Sequence, residues 1–171
     1  LDYNLQRLGP DLKNKTIIKD LNMIDALCGE LIDQALNEDR DVIIVSEYGI
    51  TSVSDAIHIN KVLRSHNLLS VRNEMERDVF DPGASRAFAV ADHQLAHIYI
   101  KNKRDIKKVK EILMNVEGIQ NILDEKEIVK YGLDHTRSGE LIAISKADRW
   151  FSYYYWLDDN RAPDYAKTVD I

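Results

Sequence analysis

The chain has 171 residues, of which 44% are hydrophobic and 30% are charged, and its formal net charge is -6. This composition predicts a globular protein with enough apolar side chains for a core, and it excludes a disordered chain. The negative charge argues against duplex nucleic acid as a partner, and no apolar run is long enough to predict a membrane span.

The N-terminal third of the chain predicts a helix followed by a strand. Apolar residues recur three and four positions apart over residues 15–37, which predicts an amphipathic helix with one broad buried face. The β-branched run Val42–Val45 then predicts a strand buried on both faces, as in a parallel sheet. Glu47 and Tyr48 follow this strand directly, at the edge where open α/β sheets place their active sites.

The only cysteine, Cys28, lies on the apolar stripe of the predicted helix, so we expect a small buried residue there. A single cysteine excludes an internal disulfide and favours a reducing compartment. We therefore expect a cytoplasmic protein.

The middle of the chain predicts a small α+β lobe with a largely antiparallel sheet. Residues 62–71 form a short mixed apolar and basic run, and Asp81-Pro82-Gly83 predicts a turn. Alternating residues from Arg86 to Ile100 predict two antiparallel strands that meet near His93, or one bulged strand. The remaining predicted elements are a helix over 105–116, an extended segment over 119–123, a helix over 125–131 capped by Asp124, and a strand over 139–145.

Aromatic residues are concentrated in residues 150–159, a pattern that favours packing between lobes, with a base-stacking platform as the alternative. We divide the chain into a core helix-strand segment (1–55), the small lobe (56–149) and an aromatic-rich segment that returns to the core (150–171). Because the chain opens at Leu1 without a methionine and stops in mid-pattern, we expect a piece of a larger protein.

The histidines give weaker signals than the carboxylates. Asp92 and His93 resemble an acid-base pair, but neighbours on a strand point to opposite faces, so a buried or edge histidine satisfied by the backbone is favoured. His97 is expected on the same face as His93, too far away to share one metal. His135, in a loop before a strand, is a candidate for lining a site, whereas His58 and His66 are expected only at the surface.

Two segments resemble metal-binding elements of the type I phosphodiesterase/nucleotide pyrophosphatase family, within the alkaline phosphatase superfamily. These are Asp2-Tyr3-Asn4-Leu5-Gln6-Arg7-Leu8-Gly9-Pro10 and the strand ending in Ser46-Glu47-Tyr48-Gly49-Ile50. The likeness extends through Ala91–Tyr99 and His135–Leu141 to Ile171. It implies an α/β fold: part of an alkaline-phosphatase-like sheet with helices, followed by the small lobe.

The resemblance implies metal-dependent hydrolysis of phosphodiester or pyrophosphate bonds in a phosphorylated small-molecule substrate. Asp2 would ligate one divalent ion and Glu47 the other, with Gln6 and Tyr48 standing where the family has histidine and Glu47 where it has aspartate. The family uses zinc, but these oxygen ligands suit a harder ion such as manganese or magnesium.

The family's nucleophile lies upstream of the element that contains Asp2, so we expect this piece alone to be inactive. Two alternatives stay open. The altered ligands fit a non-catalytic descendant that binds a ligand or a partner protein, and the lobe over residues 86–145 fits a stand-alone structural module.

Overall fold

The computed structural model describes residues 1–46 and 49–167, apart from the side chain of Lys167. The chain divides into two compact units, Leu1–Ser52 and Val53–Ile171, which are described separately. The three-part division expected from the sequence stays a prediction.

The first unit contains two helices, α1 (Asp2–Leu8) and α2 (Lys15–Asn37). The bounds of α2 are those predicted from the apolar periodicity. The Asn14 side chain caps α2 by accepting a hydrogen bond from the Thr16 N–H, which satisfies one of the donors left open at a helix start. Asn4 Nδ2 donates to Asp20 Oδ2 at 2.6 Å and joins the two helices.

The burial expected in the first unit is wrong. Ile17 is its one buried hydrophobic residue among those described, and Cys28 is exposed. Val42–Val45 forms no strand, and Ile43 and Val45 are 86% and 81% exposed. A strand requires a hydrogen-bonded neighbour and a covering layer, and the described residues of this unit supply neither. Glu47 and Tyr48 lie outside the described residues.

The second unit contains the small lobe, and the strands among its described residues lie in three sheets. Its helices and strands are, in order, β1 (Asp55–Ile57), α3 (Ile59–Ser65), β2 (Ser70–Glu74), β3 (Arg77–Asp81), β4 (Ala87–Asp92), β5 (Leu95–Ile100), α4 (Ile106–Met114), β6 (Ile119–Leu123), α5 (Glu125–Lys130), β7 (Leu141–Ser145) and β8 (Arg149–Phe151). Short 3-10 helices cover Lys103–Asp105, Asp159–Arg161 and Asp164–Lys167.

The main sheet is antiparallel, in the order β4-β5-β7-β6, which confirms the predicted lobe. Beside it lie the β2–β3 hairpin and a two-stranded parallel sheet of β1 and β8. The first two strands of the main sheet form the predicted hairpin around His93, whose φ of 52° belongs to the turn. Strand β6 and the Asp124 cap of α5 also agree with the sequence, and the cap is a full capping box with Glu127.

One face of the main sheet packs against α3 and α4. Alternate small residues of β4, Ala87, Ala89 and Ala91, are buried on this face. The Asn60 side chain of α3 donates to the Ala89 carbonyl and accepts from the Ala89 N–H, both at 2.8 Å. This side chain therefore pairs backbone groups at the outer edge of β4, where an unpaired strand would otherwise invite association.

The aromatic-rich segment belongs to the core of the second unit. Phe151, Tyr155 and Trp156 are buried there, and the Tyr155 ring lies 5.6 Å from that of Phe80. These three rings therefore pack inside the second unit, and the expectation that the segment packs between lobes stays a prediction.

A buried carboxylate ties this segment to α3 and β3. Asp78 is 1% exposed and accepts from Arg64 at 2.7 Å and from Arg161 at 2.9 Å. Its backbone carbonyl accepts from the Tyr155 hydroxyl. Among the described residues, no helix is both long and apolar enough to cross a membrane.

Candidate metal centre

Asp2 and Gln6 lie one turn apart on α1, and both side chains face solvent. Gln6 Nε2 donates to Asp2 Oδ2 at 2.9 Å. Residues four apart share one face of a helix, so the sequence spacing alone brings these two predicted ligands together. The pair is the part of the predicted site that the described residues assemble.

The position of Asp2 suits a carboxylate. It occupies the first turn of α1, where the open N–H groups and the helix dipole favour negative charge. The helix is held to α2 through Asp20, which accepts from Asn4 and lies 3.7 Å from the Leu1 amino group. These contacts fix the face of α1 that carries Asp2 and Gln6.

The donor set of this pair fits a hard divalent cation. Rotation of the Gln6 amide would present its oxygen beside the Asp2 carboxylate, giving two oxygen ligands on one side of a cation. Zinc favours nitrogen and sulfur ligands, whereas magnesium and manganese favour oxygen. Among the described residues, no group of three or more His, Cys, Asp or Glu could hold a metal ion. The role of Asp2 and Gln6 as metal ligands stays a prediction.

Three histidines of the second unit make backbone contacts. His93 is not the buried or edge residue expected: its side chain is 80% exposed, although its backbone carbonyl accepts from the Phe151 N–H at 2.7 Å. His93 Nε2 lies 3.8 Å from Asp92 Oδ1, too far for a hydrogen bond. His97 Nδ1 accepts from the Gly139 N–H and His135 Nδ1 from the Arg137 N–H, each at 3.2 Å.

His58 was expected only at the surface, but it is half-buried and makes side-chain contacts. Its Nδ1 lies 2.6 Å from Ser152 Oγ, and its ring stacks on Tyr154 with centroids 5.2 Å apart. Burial, with the nearby Lys61 charge, lowers the pKa of His58 from its ordinary value of 6.5. Because Ser152 lies 94 residues away in sequence, the local spacing around His58 could not predict this contact.

The chain belongs to the type I phosphodiesterase / nucleotide pyrophosphatase family, whose sequence profile matches residues 1–170. This match confirms the resemblance carried by the segments around Asp2 and Glu47. No curated protein matches the chain significantly in sequence.

The chain is similar in fold to murine ectonucleotide pyrophosphatase / phosphodiesterase 5, with a TM-score of 0.55 at 18% identity. That likeness covers 88% of this chain and 36% of the murine chain. It confirms a mixed α/β fold with helices and an antiparallel sheet.

Two crystal structures of phosphonoacetate hydrolase from Sinorhizobium meliloti 1021 are more distant. The complex with phosphonoacetate has a TM-score of 0.41 at 17% identity, over 57% of this chain and 23% of that chain. The complex with phosphonoformate has a TM-score of 0.42 at 16% identity, over 63% and 25%. The chain therefore spans between about a quarter and about a third of these solved structures.

Proposed function

We propose that the parent protein is a divalent-metal-dependent hydrolase of phosphodiester or pyrophosphate bonds in a phosphorylated small molecule. Membership of the family supports the hydrolase class. The observation that carries the metal assignment is the Asp2–Gln6 pair, joined at 2.9 Å on the exposed face of α1. In this proposal Glu47 and Tyr48, at the end of the β-branched run, supply further ligands.

The residues of this chain have distinct roles in the proposed site. Divalent ions, when bound, neutralise charge on the phosphoryl oxygens and activate the attacking group. The Asp2 carboxylate balances the charge of the cation. The Gln6 amide orients that carboxylate through its N–H, or turns to supply a neutral oxygen. We propose manganese or magnesium rather than zinc because oxygen donors prefer hard ions.

The proposal also assigns roles to the rest of the chain. The nucleophile lies outside this chain, so the 171-residue chain alone is inactive. Residues 56–149 form a lobe over the substrate, and residues 150–171 lead back to the core. We propose a cytoplasmic location for the parent because this chain has a single cysteine and so no internal disulfide.

The test is turnover of bis(p-nitrophenyl) phosphate and of a pyrophosphate substrate by the full-length parent, with chelated enzyme reloaded with magnesium, manganese or zinc. We expect metal-dependent turnover that falls more than about tenfold in Asp2→Asn and in Glu47→Gln, since each removes a ligand charge. Asp11→Asn is the matched control, because Asp11 is also exposed but its side chain accepts from the Lys13 N–H.

The alternative is a descendant that binds a ligand or partner without catalysis. Its signature would be the absence of turnover with every ion and substrate tested, together with metal-independent behaviour of Asp2→Asn. That result would overturn the proposed hydrolase.

A further inference from the structure

His58 and Ser152 are the first residues after two paired strands. Strand β1 ends at Ile57 and β8 ends at Phe151, and these two residues are partners in the parallel register. The Ser152 N–H donates to the Ile57 carbonyl at 3.1 Å, and the side chains continue the pairing through His58 Nδ1 and Ser152 Oγ at 2.6 Å. This side-chain hydrogen bond anchors the start of the segment after β8, residues 152–159.

The direction of this hydrogen bond depends on the His58 tautomer, because an unprotonated Nδ1 accepts from the Ser152 hydroxyl and a protonated Nδ1 donates to its oxygen. Ser152 is 1% exposed, and its Oγ already accepts from the Tyr154 N–H at 3.3 Å. Within the described part of the chain, His58 Nδ1 is the acceptor within reach of the Ser152 hydroxyl hydrogen. A neutral ring with its hydrogen on Nε2 is therefore the form that satisfies this hydroxyl hydrogen. A proton on Nδ1 would leave the buried hydroxyl hydrogen without an acceptor.

The groups around His58 would also be affected by a positive charge on its ring. Its ring lies parallel to Tyr154, and Lys61 Nζ lies 5.6 Å from the centre of the Tyr154 ring and 5.8 Å from that of Trp156. Trp156 Nε1 donates to Asp159 Oδ1 at 3.0 Å. A positive charge on His58 would place a second cation beside Lys61 within this aromatic cluster.

The charged groups that face His58 come from three elements. Lys61 of α3 disfavours a positive ring, whereas Asp55 of β1 and Asp159 of the following 3-10 helix favour one. Burial disfavours it more strongly than any of these, and the pKa of His58 is lowered from 6.5.

We propose that His58 is a pH-sensitive switch, in which protonation of Nδ1 removes the acceptor of the buried Ser152 hydroxyl hydrogen and loosens residues 152–159 from β1 and α3. The neutral ring stabilises the anchored state at pH values above 6.5. That stabilisation is lost as the pH falls through the lower pKa of the folded state.

The switch is tested by NMR on the 171-residue chain from about pH 7.5 to about 4.5, the range in which histidine titrates. The probes are the His58 C2 proton and the Trp156 indole N–H, with the Trp150 indole as an internal reference. We expect the Trp156 resonance to shift or broaden with the same midpoint as His58, below pH 6.5.

The variants separate the switch from other titrations. The Trp156 transition should disappear in His58→Gln and persist in His66→Gln, which replaces the histidine at the other end of α3. Ser152→Ala removes the hydrogen bond that favours the neutral ring, so the His58 midpoint should move to higher pH.

The proposal is overturned if the Trp156 transition persists in His58→Gln, or if His58 titrates without any change at Trp156. If His58→Gln does not fold, Ser152→Ala decides the question. An unchanged His58 midpoint in that variant contradicts the proposal, and a raised midpoint supports it.

Discussion

The two units of the chain differ in what covers their apolar side chains. The second unit buries residues from both faces of its main sheet, including Ile98 on β5 and Ile142 on β7. In the described part of the first unit only Ile17 is buried, although α2 carries an apolar stripe along its length. Apolar periodicity in the sequence therefore predicts a helix or strand, but not which part of the protein covers its apolar face. That covering layer depends on the rest of the fold.

This difference bears on the proposed function. Asp2 and Gln6 belong to the unit with the smaller core, and a metal site requires ligands held in place by packed surroundings. The chain covers 36% of the murine structure, and the proposed function requires further chain of the parent to cover α2 and fix the ligand geometry.

The largest expected effect comes from separating the units. Residues 53–171 alone should unfold cooperatively on heating and retain most of the free energy of unfolding of the chain, on the order of 5 kcal/mol or more. Residues 1–52 alone should melt without a cooperative transition. Circular dichroism measures both melting curves. A broad melt of residues 53–171 without a cooperative transition would contradict the expected difference between the two units.

Within the second unit, Asp78→Asn should lower the free energy of unfolding by about 3 kcal/mol, because it leaves Arg64 and Arg161 beside a neutral group in a buried site. Asp164→Asn is the control. Asp164 pairs with Arg77 at an exposed position, so its loss should cost less than about 1 kcal/mol in urea unfolding.

The same carboxylate predicts an acid dependence. Burial raises the pKa of Asp78, but hydrogen bonds and charge from Arg64 and Arg161 outweigh burial and hold it below 3.8. Its stabilisation is therefore present above pH 3.8 and lost as the pH falls through the folded-state value. Equal acid sensitivity of wild type and Asp78→Asn would count against this assignment.

A smaller effect is expected from Gly139→Ala. An added Cβ would lie 2.5 Å from the Ile98 carbonyl oxygen and 2.6 Å from its nitrogen, so the loop must move away from β5. We expect a loss of about 2 kcal/mol by thermal unfolding. In contrast, Gly29→Ala in α2 meets no atom within 4 Å and should be neutral or stabilise α2 by up to about 1 kcal/mol.

The smallest effect is predicted for Leu31→Ala. Leu31 is 59% exposed, so the change should alter the free energy of unfolding of this chain by less than about 0.5 kcal/mol. In the full-length parent the same change should cost about 2 kcal/mol if further chain covers α2. Equal effects in the two proteins would remove the reason to infer a covering layer.

Local sequence patterns predicted the elements whose signals are contained within a few residues. The bounds of α2 and β6, the Asp124 cap and the hairpin around His93 were all available from periodicity and capping chemistry. The β2–β3 hairpin was not, since its turn uses Met75 and Glu76 at positive φ, where asparagine or glycine is the usual signal.

Elements that depend on distant partners could not be predicted in this way. Strands β1 and β8 have three residues each, and they pair although they lie at opposite ends of the lobe's sequence. For Val42–Val45 a strand was predicted and is not formed, because a β-branched run needs a neighbouring strand to pair with.

The contacts of the candidate site and of His58 also differ in how local they are in sequence. Asp2 and Gln6 were named from the family resemblance, and the helix α1 that makes residues four apart neighbours was not predicted. The bond between His58 and Ser152 could not be predicted, because it depends on the register of two short strands.

The most direct test of the proposed metal centre is the content of divalent metal in the purified full-length parent, measured by inductively coupled plasma mass spectrometry. We expect stoichiometric manganese or magnesium after reloading, a loss of metal in Asp2→Asn, and no loss in Asp11→Asn. Equal metal content in wild type and Asp2→Asn, or none in either, would contradict it.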